Sequence, residues 1–409
     1  MIQKQSNSLI VVGGGAAGMM AAITAARQGV SVTLLERNPK VGRKLYITGK
    51  GRCNVTNDCL PEEILRNTPR NGKFLFSVME ALPPAKVMEF FESRGCALKT
   101  ERGNRVFPVS DRSASIIQTL EQQLKKSRVK ILHGRAQRLL TVNGAAAGVV
   151  ADTGTFEAGA VILATGGKSY PATGSTGDGY QIAESLGHTI VAPEGSLVPM
   201  TSDDDCCPRM QGLSLRNVAV KLINEKGKTE YSDFGEMLFT HFGITGPVVL
   251  SSSAHMKKGK KYAFSIDLKP ALDEKKLDAR ILRDLEQYQN RSMENALTDL
   301  LPRSMIPVVL DRLDIAPSLQ ANSLTKEKRH GLVTLLKDFR ITISGLRPVE
   351  EAIITAGGVK TAQINPKTME SKLVPGLFFA GEIIDCDAYT GGFNLQIAWA
   401  TGYAAGSYC

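Results

Sequence analysis

Two short apolar runs flank an Ala/Met/Ile-rich segment at the start of the chain, which is the pattern of a βαβ unit. Leu9 to Val12 reads as a buried strand. The segment after Gly18 reads as a helix with Gly29 as its C-cap, and Ser31 to Leu35 as a second strand ending at Glu36. Pro39 to Asn57 is a long loop rich in Gly, Lys and Arg. The spacing then predicts helices over Pro84–Arg94 and Ser113–Lys126, with strand-like pieces around Arg105–Phe107, Val129–Leu132 and Ala147–Val150. Ala160–Ala164 predicts a further buried strand that opens into Thr165-Gly166-Gly167.

The pattern changes near Pro193. Residues 195–270 alternate like antiparallel β-structure, with strands expected at Val218–Ile223, Lys228–Tyr231, Val248–Leu250 and Tyr262–Leu268. Residues 273–343 read as charged helices broken by Pro302, Pro307 and Pro317. After Pro348 the glycine-rich strand character returns, with a strand at Leu377–Ala380 and a final helix at Asn394–Ala405. The expected organisation is therefore a nucleotide-binding α/β domain made of both chain ends, 1–193 and 347–409. It is interrupted by a β-rich insertion (194–272) with a helical part (273–346).

Composition narrows the class. Hydrophobic residues at 43% and charged residues at 22% of 409 exclude a disordered or fibrous chain. No apolar run approaches the roughly 18 residues of a membrane helix, and the polar start runs straight into a strand instead of a signal peptide. A cytoplasmic location with seven reduced cysteines is expected, with no membrane partner. The net charge of +10 is scattered, with short runs such as Lys257–Lys261, so it argues for an anionic dinucleotide more than for nucleic acid.

The chemistry concentrates in Gly13-x-Gly15-x-x-Gly18, between strand and helix, with Glu36 twenty-one residues after Gly15. The glycines allow a tight turn, approach of backbone to a pyrophosphate, and close helix–strand packing; the helix start supplies free N–H groups to phosphate. Glu36 can accept from both adenosine ribose hydroxyls and would repel a 2′-phosphate, which leaves FAD and NAD. Three features decide for FAD. Thr165-Gly166-Gly167 ends a strand in small residues. Gly381-Glu382-Ile-Ile-Asp385 follows a late buried strand, where an acid can bind ribityl hydroxyls. Gly391-Gly392-Phe393-Asn394-Leu395 opens the last helix, whose positive end can face the flavin N1–C2=O edge.

These motifs resemble the BaiN/RdsA family of flavoproteins. The resemblance rests on Gly13–Gly18, Gly42-Arg43-Lys44-Leu45, Thr48-Gly-Lys-Gly51-Arg52-Cys53-Asn54-Val-Thr56-Asn57, Ala164–Gly167, Ser169-Tyr170-Pro171, Thr173–Gly179, Leu238–His241, Gly243–Pro247, Thr355–Val359, Gly381-Glu382 and Gly391–Asn394. It spans nearly the whole chain. It implies a FAD domain of the glutathione-reductase type with a β-barrel-like and helical insert that serves the substrate. FAD contacts are implied at Glu36, Arg37, Lys44, Arg52, Asn54, Asn394, Leu395 and the backbone of Ala136. Read with the motifs, the cofactor set also takes in Gly13, Gly15, Ala16, Ala17, Gly18, Arg43, Gly51, Cys53, Thr165, Gly166, Gly381, Glu382, Asp385 and Gly392. The chain departs from the family at Lys50 and at Cys386–Tyr389. The resemblance further implies NAD(P)H-linked reduction of conjugated enones on steroid-like substrates, or oxidation of small amines by dioxygen. A flavin-bearing RNA-binding or redox-sensing protein is the remote alternative.

Other features are weaker. Cys53 and Cys59 are one residue too far apart for the Cys-x4-Cys pair of a disulfide reductase, and Cys206-Cys207 read as loop or partly buried thiols. Gly167-Lys168-Ser169 lacks the earlier glycine of a P-loop, since position 162 is Ile. The five histidines have no metal-ligand spacing, so no metal is expected. His241, Tyr170 and Tyr389 are the candidate proton donors.

Overall fold

The computed structural model describes residues 7–257 and 259–409; the first six residues and Lys258 of the basic run lie outside the described residues. The chain divides into one unit of Met1–Ser196 with Val349–Cys409 and a second of Leu197–Pro348.

The first unit is built on a five-stranded parallel sheet in the order Leu377–Phe379, Ala160–Leu163, Ser8–Val12, Ser31–Glu36, Lys130–His133. The strands Leu377–Phe379, Ala160–Leu163 and Ser8–Val12 are apolar and largely buried on both faces, as a covered parallel sheet requires, whereas the edge strand Lys130–His133 is mostly exposed. The strand nearest the chain's end, Leu377–Phe379, pairs with Ala160–Leu163, which in turn pairs with the first strand. The sheet itself thus joins the two halves of this unit. A three-stranded sheet (Thr56–Asn57, Arg105–Pro108, Leu98–Glu101) and a meander (Ala136–Val142, Ala145–Ala151, Gly154–Glu157) are built off it. The helix Ser113–Lys126 forms as its periodicity predicts, burying Ile116, Leu120 and Leu124.

The first helix, Ala16–Arg27, packs against the last, Phe393–Tyr408. Their backbones nearly touch: a Cβ placed on Gly402 would lie 2.3 Å from the Ala17 carbonyl oxygen, and one on Gly406 would lie 2.3 Å from that of Ala21. Only residues without a side chain allow that approach.

The second unit contains a seven-stranded antiparallel sheet. Its order is Phe339–Ile343, Tyr262–Asp267, Ser214–Asn224, Thr229–Thr240, Gly243–Thr245, Met200–Thr201, Gly345–Leu346. Its core also takes in the helices Glu274–Gln287, Ile306–Arg312 and Lys326–Lys337.

Three sequence expectations need correction here. Pro39–Asn57 is not loop throughout: Arg43–Ile47 forms a short helix after Gly42, burying Leu45, and Thr56–Asn57 pairs as a strand, elements too short to show a period in the sequence. Val248–Leu250 is not a strand but part of the helix Pro247–Ser253; a short apolar run has no period of its own, and Pro247 at the first helical position sets the outcome. Residues 339–343, read as the end of the helical stretch, form a strand with alternating burial that pairs with Tyr262–Asp267. That pairing ties the expected β-rich and helical parts of the insertion into one unit.

Gly402→Ala forces the first and last helices apart, and overpacking of this kind costs about 1–3 kcal/mol. Urea unfolding of the variant should show a lower midpoint with an unchanged slope. An unchanged midpoint would mean that the helices have room to separate freely.

Candidate functional site

Glu36 ends the second strand and is buried. Its Oε2 accepts the Gly14 amide at 2.6 Å, and its Oε1 accepts both the backbone and side-chain N–H groups of Asn38 at 2.7 Å. Asn38 in turn donates to the Thr173 carbonyl at 3.0 Å and accepts from Arg43 at 3.1 Å. The carboxylate is therefore fixed beside the glycine turn, where an adenosine ribose can reach it. The first helix opens at Gly15 with no side-chain cap and no acidic residue in its first turn. A Cβ on Gly15 would meet nothing within 4 Å, so the positive helix end faces open space. Arg37 donates to Thr176 at 2.7 Å and to Asp178 at 3.0 Å, and Arg135 grips the same Asp178 at 2.7 Å.

Further along, Lys44 and Glu382 meet although 338 positions separate them: Nζ lies 2.5 Å from Oε2. Lys44 also donates to Ser169 Oγ at 2.7 Å, and Ser169 donates to Glu382 Oε1 at 2.8 Å. The Thr355 amide completes the cluster with a 2.9 Å bond to the same oxygen. Asp385 stands apart, with Oδ2 accepting from Asn71 at 2.9 Å, and burial raises its carboxyl above the ordinary range. Asn38 and Asn71 were not singled out from sequence, and Ser169 and Thr355 appeared there only within motifs, because the bonds of Asn71, Ser169 and Thr355 run to partners far along the chain.

The Gly49–Asn54 loop turns through left-handed backbone at Gly49, Lys50, Gly51 and Cys53. The Thr48 carbonyl holds it by accepting the Gly51 and Cys53 amides at 3.2 and 2.9 Å. Arg52 is committed elsewhere. Its guanidinium bonds Glu101 at 2.5 Å and Asp111 at 2.8 Å, and stacks 4.1 Å from the Phe107 ring centre. Its neighbour Asn54 has a buried Oδ1 without a partner.

The last helix starts at Gly392, at φ +101°, with its Cβ position only 2.3 Å from the Thr56 carbonyl oxygen and 3.0 Å from Asn54 Oδ1. No side chain caps it and no acid occupies its first turn. Asn394 uses its side chain on Ala388, donating to its carbonyl at 2.7 Å and accepting its amide at 2.9 Å. What Asn394 and the half-buried Leu395 offer outward is backbone. Trp399 Nε1 donates to Val55 at 2.9 Å, and Gln396 accepts from Thr56 at 2.7 Å, so the loop and the helix start move as one piece.

Among the remaining candidates, Ala136 is buried, Thr165 Oγ1 is buried without a partner, Gly166 has φ +77°, and Gly381 has φ +76° against Ala17. Tyr170 is strained at φ +52°, and burial raises its phenol, which keeps its proton at neutral pH. Tyr389 is half-buried, its amide held by Asn67 at 2.9 Å. His241 belongs to the second unit, where it is exposed against the edge of Phe242. All seven cysteines are free thiols. Burial pushes Cys53 up to about 12 and Cys59 up to about 11, so neither is a ready thiolate. Cys206 and Cys207, expected in a loop or partly buried, are fully buried in the short helix Cys206–Arg209.

FAD fits these residues: open space faces the uncapped first helix, a fixed acid stands beside it, and a second uncapped helix start adjoins the orphaned Asn54 oxygen.

The comparisons agree. The model of the HI0933-like protein Rossmann domain matches residues 7–408. A 3-dehydro-bile acid Δ(4,6)-reductase of Clostridium scindens is 32% identical over 406 residues, 98% of each chain. A ribosomal RNA dihydrouridine synthase of Escherichia coli is 30% identical over 398 residues, 97% of this chain and 96% of that one. The crystal structure of a 3-ketosteroid-Δ4-(5α)-dehydrogenase from Rhodococcus jostii superposes with a TM-score of 0.52 at 17% identity. It covers 100% of this chain and 98% of that one, and shows the shared fold.

Glu36→Ala removes charged-acceptor bonds worth about 1.5–3 kcal/mol, which corresponds to roughly tenfold to hundredfold weaker FAD binding. Titration of apoprotein with FAD reads this directly, and the saturated variant should keep a near-normal flavin spectrum. An unchanged dissociation constant would show that Glu36 does not hold the ribose. Cys59→Ser should leave both flavin binding and flavin reduction unchanged. A charge-transfer band that disappears in that variant would instead reveal a redox-active thiol.

Proposed function

The chain belongs to the HI0933-like Rossmann-domain family and is an FAD-dependent oxidoreductase; we propose that it reduces a carbon–carbon double bond conjugated to a carbonyl on a mostly apolar substrate, with NAD(P)H as electron donor. One observation carries this reading. Two relatives that match over almost the full chain are named for the same bond change on unlike molecules. One is a Δ(4,6)-reductase of a 3-dehydro steroid. The other makes dihydrouridine, which is uridine with the double bond conjugated to its C4 carbonyl saturated.

FAD, when bound, would supply hydride chemistry at its N5 atom, carrying a hydride equivalent from NAD(P)H to the β carbon of the conjugated system. The N-terminal amides of the first helix and its dipole would hold the pyrophosphate, and Glu36 would hold the adenosine ribose. Lys44, Ser169 and Glu382 would offer donors and acceptors to a ribityl chain and its phosphate. The amides that open the last helix would face the pyrimidine edge of the ring and favour negative charge there, and the unpartnered Asn54 Oδ1 would accept from a ring N–H. Hydride arrival at the β carbon leaves charge on the carbonyl and requires a proton at the α carbon. Tyr170, protonated at neutral pH, is our first candidate donor and Tyr389 the second.

A second reading, uridine in ribosomal RNA as substrate, is favoured by the net charge of +10 together with the dihydrouridine synthase relative. Anaerobic mixing of holoenzyme with NADH, NADPH or aminoacetone tests the electron source. Bleaching by a nicotinamide, followed by recovery of colour on adding a 4-ene-3-oxo steroid, supports the apolar reading. Recovery with unmodified ribosomal RNA but not with the steroid selects uridine. Bleaching by the amine alone, with reoxidation by dioxygen, overturns both.

A further inference from the structure

Asp385 and Asp387 lie in the segment between Glu382 and the start of the last helix, and both are almost wholly buried. Asp385 Oδ2 accepts from Asn71 at 2.9 Å, and Asp387 Oδ2 accepts from Ser196 at 2.7 Å. In each residue the other oxygen, Oδ1, is buried without a hydrogen-bond partner. Both of these orphaned oxygens face one guanidinium: Arg70 lies 3.8 Å from Asp385 Oδ1 and 3.6 Å from Asp387 Oδ1. Two carboxyls thus share a single cation. The other titratable groups that face the pair are Glu382, the Tyr180 phenol and the buried thiol of Cys386, none of which supplies positive charge; Gly357 contributes an amide to Asp385.

The segment is gripped from both ends. Asn71 donates to the Asp385 carbonyl at 2.6 Å, and Asn67 accepts the Tyr389 amide at 2.9 Å. On the far side Asn394, in the first turn of the last helix, brackets Ala388 with two bonds. The loop Asn67–Asn71 therefore reaches the helix start through the segment 385–389.

We infer that Arg70 is a positioning residue: its guanidinium is shared by the two buried carboxyls, and this lock fixes the first turn of the last helix that receives the flavin. Burial holds both carboxyls above their ordinary range, because charge without solvent needs a partner and, among the described residues, Arg70 is the one cation paired with either. The sign follows. Folded protein binds a proton at this pair more tightly than unfolded protein, so stability falls as pH rises from the ordinary carboxylate range through the raised one. Without Arg70 the fall becomes steeper, because neither carboxylate then has a cation.

This inference rests on the last helix facing the flavin, but not on the identity of the substrate. The test is FAD titration of apoprotein and thermal unfolding, each at pH 6 and pH 8, for Arg70→Met, Asp387→Asn and the double variant. Arg70→Met should weaken FAD binding by about tenfold or more at pH 8 and by distinctly less at pH 6. Asp387→Asn in that background should restore binding to within about threefold, since it removes the uncompensated charge while keeping the shape. Loss that is equal at both pH values, or that the double variant does not rescue, overturns the charge lock. If Arg70→Met does not fold, Asp387→Asn alone decides. A flatter fall of melting temperature between pH 6 and pH 8 supports the inference, and an unaltered slope overturns it. Failure of enone or uridine turnover in any of these proteins would bear on the substrate and leave this result standing.

Discussion

The contact on which the site depends is the one between the first and last helices. Gly402 and Gly406 bring the last helix onto the Ala17 and Ala21 carbonyls, closer than any side chain permits. That approach sets where both helix starts stand. Each start lacks a cap and an acidic neighbour, so each presents unpaired N–H groups and a positive dipole end. A dinucleotide with negative charge at its pyrophosphate and electron demand at its ring finds both ends in one unit. Parallel pairing of Leu377–Phe379 with Ala160–Leu163, and of the latter with the first strand, carries the chain's end to the same place.

Around these helix starts the charged groups are at least partly buried or held in ion pairs, several of them across long sequence distances. Glu36 is fixed by Gly14 and Asn38, Lys44 by Ser169 and Glu382, and Arg52 by Glu101 and Asp111. Partly buried charges of this kind bring little net stability, since desolvation offsets much of the attraction. Their effect is geometric. Each pins a loop to a strand or helix end, so that the glycine turn, the Gly49–Asn54 loop and the start of the last helix keep fixed relations to one another.

The shared chemistry of the relatives suits a scaffold of this sort. One fold can host different substrates, and the relatives are named for the same bond change on a steroid and on a uridine base.

The sequence by itself determined the parallel-sheet nucleotide unit, its construction from both chain ends, and the glycine turn with Glu36. Those features are local: a strand, a turn and a helix follow from consecutive residues, and Ser113–Lys126 formed with the bounds its periodicity predicts. It misread Val248–Leu250 and 339–343, because short apolar runs carry no period that separates helix from strand. It also placed Cys206 and Cys207 too near the surface. Only the tertiary structure decided which polar side chains meet. Lys44 with Glu382, and Arg70 with Asp385 and Asp387, join residues more than 300 positions apart, whose proximity depends on sheet order and helix packing. No periodicity encodes such pairs, because each becomes neighbours only after the chain's two ends have been laid side by side.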